Sequence, residues 1–365
     1  MTRRLAIHAV TRGGAALGQR LASALGADLL VAAPVAEAAP GARPFPLPMR
    51  DAVARTFREY DGHVFVLAVG ATVRLVAPLL ESKRSDPAVV CLDEAGRFAV
   101  AVLSGHAGGA NRLAEEAARA VGATPVVTTA SDALGTLRVD LLGRDLGWTL
   151  EDPCRNATRA AAAVVNGEPV LVVDEPGGCA WWPAGEPLPA NVEVAPSLEA
   201  VDSSRFAAVV AVTDRSLLDE ALRARAVVWR PRTLAVGVGC DRGASPSAVW
   251  RAIAAVLDTH GLAPAAVGAV ATIDLKHDEA GIVEAASRLG CPLRLFGAGA
   301  LDAAPGIERP SEVVRGHVGT RGVAEPAALL AAGAKRLLVP KQVWRDSGDG
   351  RSVTVAVARF PREER

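Results

Sequence analysis

Short runs of Ala, Val and Leu alternate along this chain with helical patterns that stop at glycine. That alternation constrains the fold more than any other feature. Strands joined through helices lie parallel, and a parallel sheet needs helical cover on both faces. Over residues 1–140 the reading is a strand at 5–10, a helix at 15–25 closed by Gly26 and a strand at 28–33. A Pro-rich loop follows at 34–48, then a helix at 51–60, a strand at 63–69, and a glycine turn with a short helix at 70–78. The apolar runs 88–92 and 98–103 flank Asp93, Glu94, Ala95 and Gly96, a hairpin signal. A helix at 110–121 stops at Gly122, and a strand follows at 124–129. The βα pattern restarts at 233–365, where Ser245 and Pro246 read as a helix N-cap and first helical residue. Between them, residues 141–231 are less regular, with strands at 169–173, 209–213 and 226–229 and a helix at 155–165. The predicted class is multi-domain α/β, with largely parallel sheets covered on both faces in the N- and C-terminal domains. The predicted domains are 1–140, an irregular middle at 141–231, and 233–365.

A chain of 365 residues exceeds one typical core. Its 40 basic and 40 acidic residues cancel, and only 4% of residues are aromatic, which argues against a nucleic-acid partner. No apolar stretch is long enough to cross a membrane. The first apolar run is interrupted by His8 and then by Thr11, Arg12, Gly13 and Gly14, so it reads as a strand rather than a signal peptide. The five cysteines are scattered, with no zinc-ligand spacing. These features predict a cytoplasmic protein with free thiols, no structural metal and no membrane contact.

The richest local signal is the loop between the strand at 98–103 and the helix at 110–121. It carries Ser104, Gly105, His106, Gly108, Gly109 and Asn111. Glycines let backbone approach a ligand closely, and a helix start offers N–H donors to an anion. Ser104, His106 and Asn111 add side-chain donors and acceptors; the plainer reading is a glycine turn with an N-cap. Ser104 beside His106 is first a ligand contact, because sequence neighbours seldom align as nucleophile and base. A second cluster sets Arg74, Lys83 and Arg84 near Gly70, and a third sets Asp274, Lys276 and Glu279 at a strand end, where open α/β sheets bind ligands. Their plainer readings are a solvated helix face and ordinary acidic capping. Gly237, Gly239 and Gly243 imitate a dinucleotide fingerprint, but the third glycine is one position late and no acidic residue ends a second strand about 20 residues on.

Taken together, several blocks resemble the cobalt-precorrin-5A hydrolase family of anaerobic cobalamin biosynthesis. They are Gly70 with Val73 and Arg74; Lys83 with Asp86, Pro87 and Ala88; the 103–111 loop; and residues 127–132, with Thr128, Thr129 and Asp132. In the last segment they are Gly237, Gly239 and Cys240; residues 271–281; Gly319, Gly322, Val323, Ala324 and Glu325; and Lys341. Both end segments carry the resemblance and the middle carries little; Ala71 stands where the family commonly has Ile. The resemblance implies hydrolysis of a δ-lactone on a cobalt-bound corrin precursor, then loss of two carbons as acetaldehyde to give cobalt-precorrin-5B. Cobalt would arrive in the substrate, so no cofactor of the protein's own is expected. On chemical grounds the catalytic candidates are His106, Lys276 and Glu279. His106 has an ordinary pKa of about 6.5, which suits proton transfer. Candidate substrate contacts are Gly70, Arg74, Lys83, Ser104, Gly105, Gly108, Gly109, Asn111, Thr128, Thr129, Asp132, Gly239, Cys240, Glu325 and Lys341. Partners would be the cobalt-corrinoid and other corrin-pathway enzymes. A non-catalytic tetrapyrrole carrier and a nucleotide-dependent enzyme are the alternatives.

Overall fold

A computed structural model describes residues 3–82, 85–106, 108–151, 155–216, 220–307, 319–345 and 350–361. The chain divides into two compact units, Met1–Leu141 and Leu142–Arg365.

The first unit is built on strands β1 (Leu5–Ala9), β2 (Asp28–Ala32), β3 (Arg43–Phe45), β4 (Gly62–Val66), β5 (Ala88–Leu92), β6 (Phe98–Leu103) and β7 (Thr124–Val126). Among the described residues they form a seven-stranded sheet in the order β3-β2-β1-β4-β5-β6-β7. Only the β5–β6 hairpin is antiparallel, as its tight-turn residues predict. The helices are α1 (Arg12–Leu25), α2 (Met49–Thr56), α3 (Val69–Val76), α4 (Ala110–Val121) and the short α5 (Ala130–Ala133). Strand periodicity sorts the side chains onto two faces. Ile7, Val64, Val90 and Leu92 pack with Leu21 of α1 and Leu113 of α4. Ala6, Phe65 and Val89 pack with Val53 of α2 and Val76 of α3. Helices therefore cover both faces, as expected of a largely parallel sheet.

Two histidines sit inside this unit. His8 on β1 and His63 on β4 are fully buried, with His8 Nε2 3.0 Å from His63 Nδ1 and His63 Nε2 3.0 Å from the Phe57 carbonyl oxygen. Burial, with the adjacent His63, holds His8 well below its ordinary pKa, and burial lowers His63 to about 4. Both are neutral when folded at pH 7. The unfolded chain takes up protons below about pH 6.5, which the folded chain refuses. The sign follows: stability is full above that pH and falls as pH drops toward 4, by about 3 kcal/mol from His63 alone. Thermal melts between pH 7 and 4.5 check this. A first-unit transition that holds its temperature over that range would be inconsistent with two neutral buried imidazoles.

The second unit carries two sheets. One comprises β8 (Thr149–Glu151), β9 (Val170–Asp174), β10 (Val192–Ala195), β11 (Ala208–Val212) and β12 (Ala226–Arg230), in the order β10-β9-β11-β12-β8, with helices α6 (Arg155–Val165) and α7 (Glu220–Arg223). The stretch read as irregular is thus an ordered sheet. The two strands missing from the sequence reading are its edges, β8 and β10, of only 3 and 4 residues and largely not buried. Such short edge segments carry no apolar run to read. The other sheet comprises β13 (Leu234–Cys240), β14 (Val267–Ile273), β15 (Leu293–Phe296), β16 (Leu337–Arg345) and β17 (Ser352–Arg359), in the order β15-β14-β13-β17-β16. Here β17 is antiparallel to both neighbours, so this sheet is mixed. Helices α8 (Pro246–Thr259) and α9 (Ala280–Leu289) cover one face, and α10 (Ala298–Ala303) and α11 (Ala324–Ala332) the other. Ser245 caps α8 by accepting from the Ala248 N–H at 3.2 Å, as the sequence predicts. The sequence also places a turn at Ser347, Gly348, Asp349 and Gly350, of which the first three lie outside the described residues.

Within this unit Asp214 joins the two sheets. Its carboxylate accepts from Arg359 Nε at 2.7 Å and Nη2 at 2.9 Å and from the Thr233 hydroxyl at 2.7 Å. Its backbone carbonyl accepts from the Ala263 N–H at 2.8 Å.

Candidate active site

The loop between β6 and α4 is shaped by close backbone approach. Ser104 adopts φ 57°, in the left-handed region that side chains avoid. Its hydroxyl donates to the Asp86 carbonyl oxygen at 3.0 Å, and its own carbonyl accepts from the Ala110 N–H at 3.1 Å. A Cβ on Gly108 would lie 2.3 Å from Ser104 Cβ, and one on Gly105 would lie 2.7 Å from Asn111 Oδ1. Gly109, at φ 82°, starts α4. The N–H of Asn111 goes to the Gly105 carbonyl at 3.1 Å. Helix donors expected to be open to an anion are therefore partly used, because the chain folds back far enough to cap its own helix. What the loop presents is His106.

The ring of His106 lies between two carboxylates. Nε2 is 2.9 Å from Asp132 Oδ2, and Nδ1 is 3.4 Å from Asp140 Oδ1. The Ser131 hydroxyl is 3.1 Å from Nε2. Asp132 is itself tightly held. Asn111 Nδ2 donates to its Oδ2 at 2.7 Å and to the Thr129 hydroxyl at 2.8 Å, and that hydroxyl donates to the same carboxylate oxygen. Arg138 reaches Oδ1 at 3.4 Å. Burial opposes ionisation of Asp132, but the bonds from Thr129 and His106 and the charges of His106 and Arg138 hold it below the usual carboxylate range. The hydrogen bond to Asp140 raises His106 above its ordinary value, with Asp132 adding to that against the cost of burial. A carboxylate at each ring nitrogen favours the doubly protonated ring, so His106 is placed as a proton donor rather than a ready base.

In the second unit, Lys276 and Glu279 follow β14, where the sequence places them. Lys276 Nζ lies 3.9 Å from Glu279 Oε2 and 3.8 Å from Cys240 Sγ, with 13% of the lysine side chain and 6% of the glutamate exposed. Glu279 Oε1 accepts from the Gly243 N–H at 2.8 Å, tying the loop after β13 to the start of α9. Burial pushes the Cys240 thiol up despite the nearby Lys276 ammonium, so it stays a thiol.

These features can be set beside known proteins. Residues 51–132 match the family model described as Cobalamin synthesis G N-terminal, 138–231 the Cobalamin biosynthesis central region, and 234–358 the Cobalamin synthesis G C-terminus. The cobalt-precorrin-5A hydrolase of Priestia megaterium is 41% identical over 308 residues, covering 84% of this chain and 80% of that protein. This chain belongs to the cobalt-precorrin-5A hydrolase family. The Salmonella typhimurium member is 32% identical over 330 residues, covering 89% of this chain and 91% of that one. A crystal structure of a cobalamin biosynthesis protein G homologue from Sulfolobus solfataricus is 20% identical and covers 99% of this chain and 98% of that one, with a TM-score of 0.37. Protein CobE of Sinorhizobium is 33% identical over 111 residues, covering 30% of this chain and 72% of CobE.

The remaining candidates of this family member are scattered over its two units. Gly70 is the second residue of α3 rather than a free turn, and exposed Arg74 donates to its carbonyl at 3.0 Å within that helix. Lys83 lies outside the described residues. Thr128 is exposed, one position before the Thr129 that supports Asp132. Gly239 is buried, with a Thr354 hydroxyl 2.7 Å from where its Cβ would be. Glu325 is buried at the start of α11 and accepts from the Lys341 N–H at 2.9 Å. The sequence reading passed over Ser131, Asp86 and Asp140 as site residues. The first two lie inside recognised blocks, whereas Asp140 sits in coil with no motif around it.

For Lys276→Met we expect the reaction rate to fall roughly 10²-fold, the scale for losing one donor to a developing negative charge. The melting temperature is expected to fall by only a few degrees, since Glu279 keeps its Gly243 bond. A variant that melts far lower and keeps its specific rate would make the pair a structural tie between loops.

Proposed function

We propose that this chain hydrolyses the δ-lactone of cobalt-precorrin-5A, releasing acetaldehyde and giving cobalt-precorrin-5B in anaerobic cobalamin biosynthesis. The observation that carries this reading is the 41% identity across 80% of a relative named cobalt-precorrin-5A hydrolase. The chemistry of the His106 loop supports it. Water adds to the lactone carbonyl carbon, the bond from that carbon to the ring oxygen breaks, and the leaving alkoxide needs a proton. An imidazolium supplies one. The freed alcohol then gives up its O–H proton as its C–O bond becomes the carbonyl of acetaldehyde. The electron pair of the broken carbon–carbon bond stays on the conjugated macrocycle, which takes up a proton. Lys276 is the candidate to stabilise negative charge in the second unit, with Glu279 orienting it. Arg74 is the candidate anchor for the substrate's peripheral carboxylates. The protein brings no cofactor of its own; cobalt enters within the substrate. The proposed setting is the cytoplasm, with other enzymes of the corrin pathway supplying and taking the macrocycle. Among the described residues no helix is long and apolar enough to cross a membrane.

The deciding experiment mixes purified protein with cobalt-precorrin-5A. Acetaldehyde is followed by a coupled dehydrogenase and the corrinoid by mass. Stoichiometric acetaldehyde with loss of two carbons from the macrocycle is the expected result. Tight binding of the corrinoid with no acetaldehyde would replace the hydrolase with a carrier.

A further inference from the structure

The contacts around His106 assign a role to a residue outside every recognised block. We propose that Asp140 is a positioning residue for lactone opening, holding Nδ1–H of a His106 imidazolium that Asp132 grips from the other side. This rests on the hydrolase reading and deepens it.

The two sides of the ring are not equivalent. On the Nε2 side, Asp132 is 2.9 Å away and is itself fixed by Asn111, Thr129 and Arg138. That side orients the ring, because a carboxylate with so many donors cannot move to follow a proton. On the Nδ1 side, the contact to Asp140 is longer, at 3.4 Å, and a third of the Asp140 side chain is exposed. This is the looser and wetter side, so Nδ1 is the nitrogen from which a proton can pass to an alkoxide. The backbone at Asp140 is not adrift, since Leu137 and Val139 just before it are buried at 2% and 0% exposure. The charged groups facing the ring are Asp132 and Asp140, with Arg138 behind Asp132. Across the loop Arg3 donates to the Gly109 carbonyl at 3.3 Å and pairs with Glu116 at 3.6 Å. A carboxylate at each ring nitrogen demands a donor at each, and only the imidazolium has two. His106 is thereby set to give a proton when the lactone carbon–oxygen bond breaks, and the deprotonation of water falls to another group.

The test is Asp140→Asn, which keeps size and an acceptor oxygen but removes the charge. Two measurements are made on the full chain. Selective ¹⁵N-histidine labelling follows the His106 titration without substrate, its signal assigned by its loss in His106→Gln. Acetaldehyde release gives kcat and KM against pH. We expect the His106 midpoint to fall in Asp140→Asn, the high-pH limb of kcat to move down with it, and KM to stay within about twofold. Asp140→Glu, retaining the charge, should return both toward wild type. If Asp140→Asn does not fold, the Glu variant and the wild-type titration carry the test, and a wild-type midpoint at or below about 6.5 overturns the clamp. An unchanged midpoint in Asp140→Asn overturns the proposal and leaves the hydrolase reading standing. A midpoint that falls while the kcat limb stays overturns proton donation by His106. Absence of acetaldehyde from the wild type would instead remove the hydrolase reading, with the titration still judging the clamp.

Discussion

His106→Ala is expected to lower kcat for acetaldehyde release roughly 10²–10⁴-fold, the range for loss of one acid–base group. The expectation comes from where the ring sits. Ser104 in its left-handed conformation, Gly105 and Gly108 pressed against their neighbours, and Gly109 at the helix start all bend one loop so that the imidazole enters between Asp132 and Asp140. No other side chain of the loop is an acid near neutral pH: the Ser104 hydroxyl and the Asn111 amide keep their protons and donate hydrogen bonds to the Asp86 carbonyl, Thr129 and Asp132. The pH dependence has a definite sign. His106 is raised, so its interaction with the carboxylates stabilises the fold fully below about pH 6.5 and fades as pH rises through the folded value. Asp132 is lowered, so its contribution is present above the ordinary carboxylate range and is lost as pH falls through its folded value. The stability cost of His106→Ala should therefore be greater at pH 6 than at pH 9. Acetaldehyde release near the wild-type rate would reduce His106 to a loop residue.

Gly237→Ala is expected to destabilise the second unit by about 3 kcal/mol, at the upper end of the range for overpacking. Its Cβ would lie 1.9 Å from the Ala324 carbonyl oxygen and 2.7 Å from the Ala328 nitrogen of α11. Those are backbone atoms of a helix that is itself buried, so relief requires lifting α11 off the sheet. The sheet face beneath it is made of small residues, among them Ala235, Ala271, Ala356 and Ala358, which is why the helix comes so close. At about 2–4 °C per kcal/mol for a unit of this size, the melting temperature should drop by roughly 6–12 °C. All six tryptophans lie between Trp148 and Trp344, so indole fluorescence reports on this unit. Gly239→Ala is the control. Its new Cβ meets the Thr354 hydroxyl, which can rotate away, and about 1 kcal/mol is expected for the bond from that hydroxyl to the Gly239 carbonyl. A Gly237→Ala protein that melts within a degree of wild type would show that α11 is not seated as tightly as the geometry states. The same contact explains the dinucleotide-like spacing around Gly237, since its glycine makes room for a helix rather than for a pyrophosphate.

Most elements of this fold are legible locally because their causes are local. β5, β6 and α4 fall on the residues where apolar runs, the Asp93–Gly96 turn and a closing glycine place them. A strand buried on both faces must be continuously apolar, and a helix stopped by Gly122 or Gly290 in the left-handed region announces its own end. His106, Lys276 and Glu279 also stand out locally, because reactive side chains beside glycine turns at strand ends are a pattern within a few residues. Long-range packing decided the rest. That Asp140 meets His106 depends on how coil after α5 is pinned by Leu137 and Val139, and nothing near residue 140 announces it. That α11 fills the space over Gly237, 87 positions earlier than Ala324, depends on chain segments whose meeting no periodicity encodes. The edge strands β8 and β10 exist because longer neighbours offer them a ladder of hydrogen-bonding groups, and alone they are too short to declare themselves. Propensity and periodicity act over one turn or one strand, so they determine which elements form. Which side chains then face one another, and so what His106 can do with a proton, is set by the packing of elements far apart in sequence.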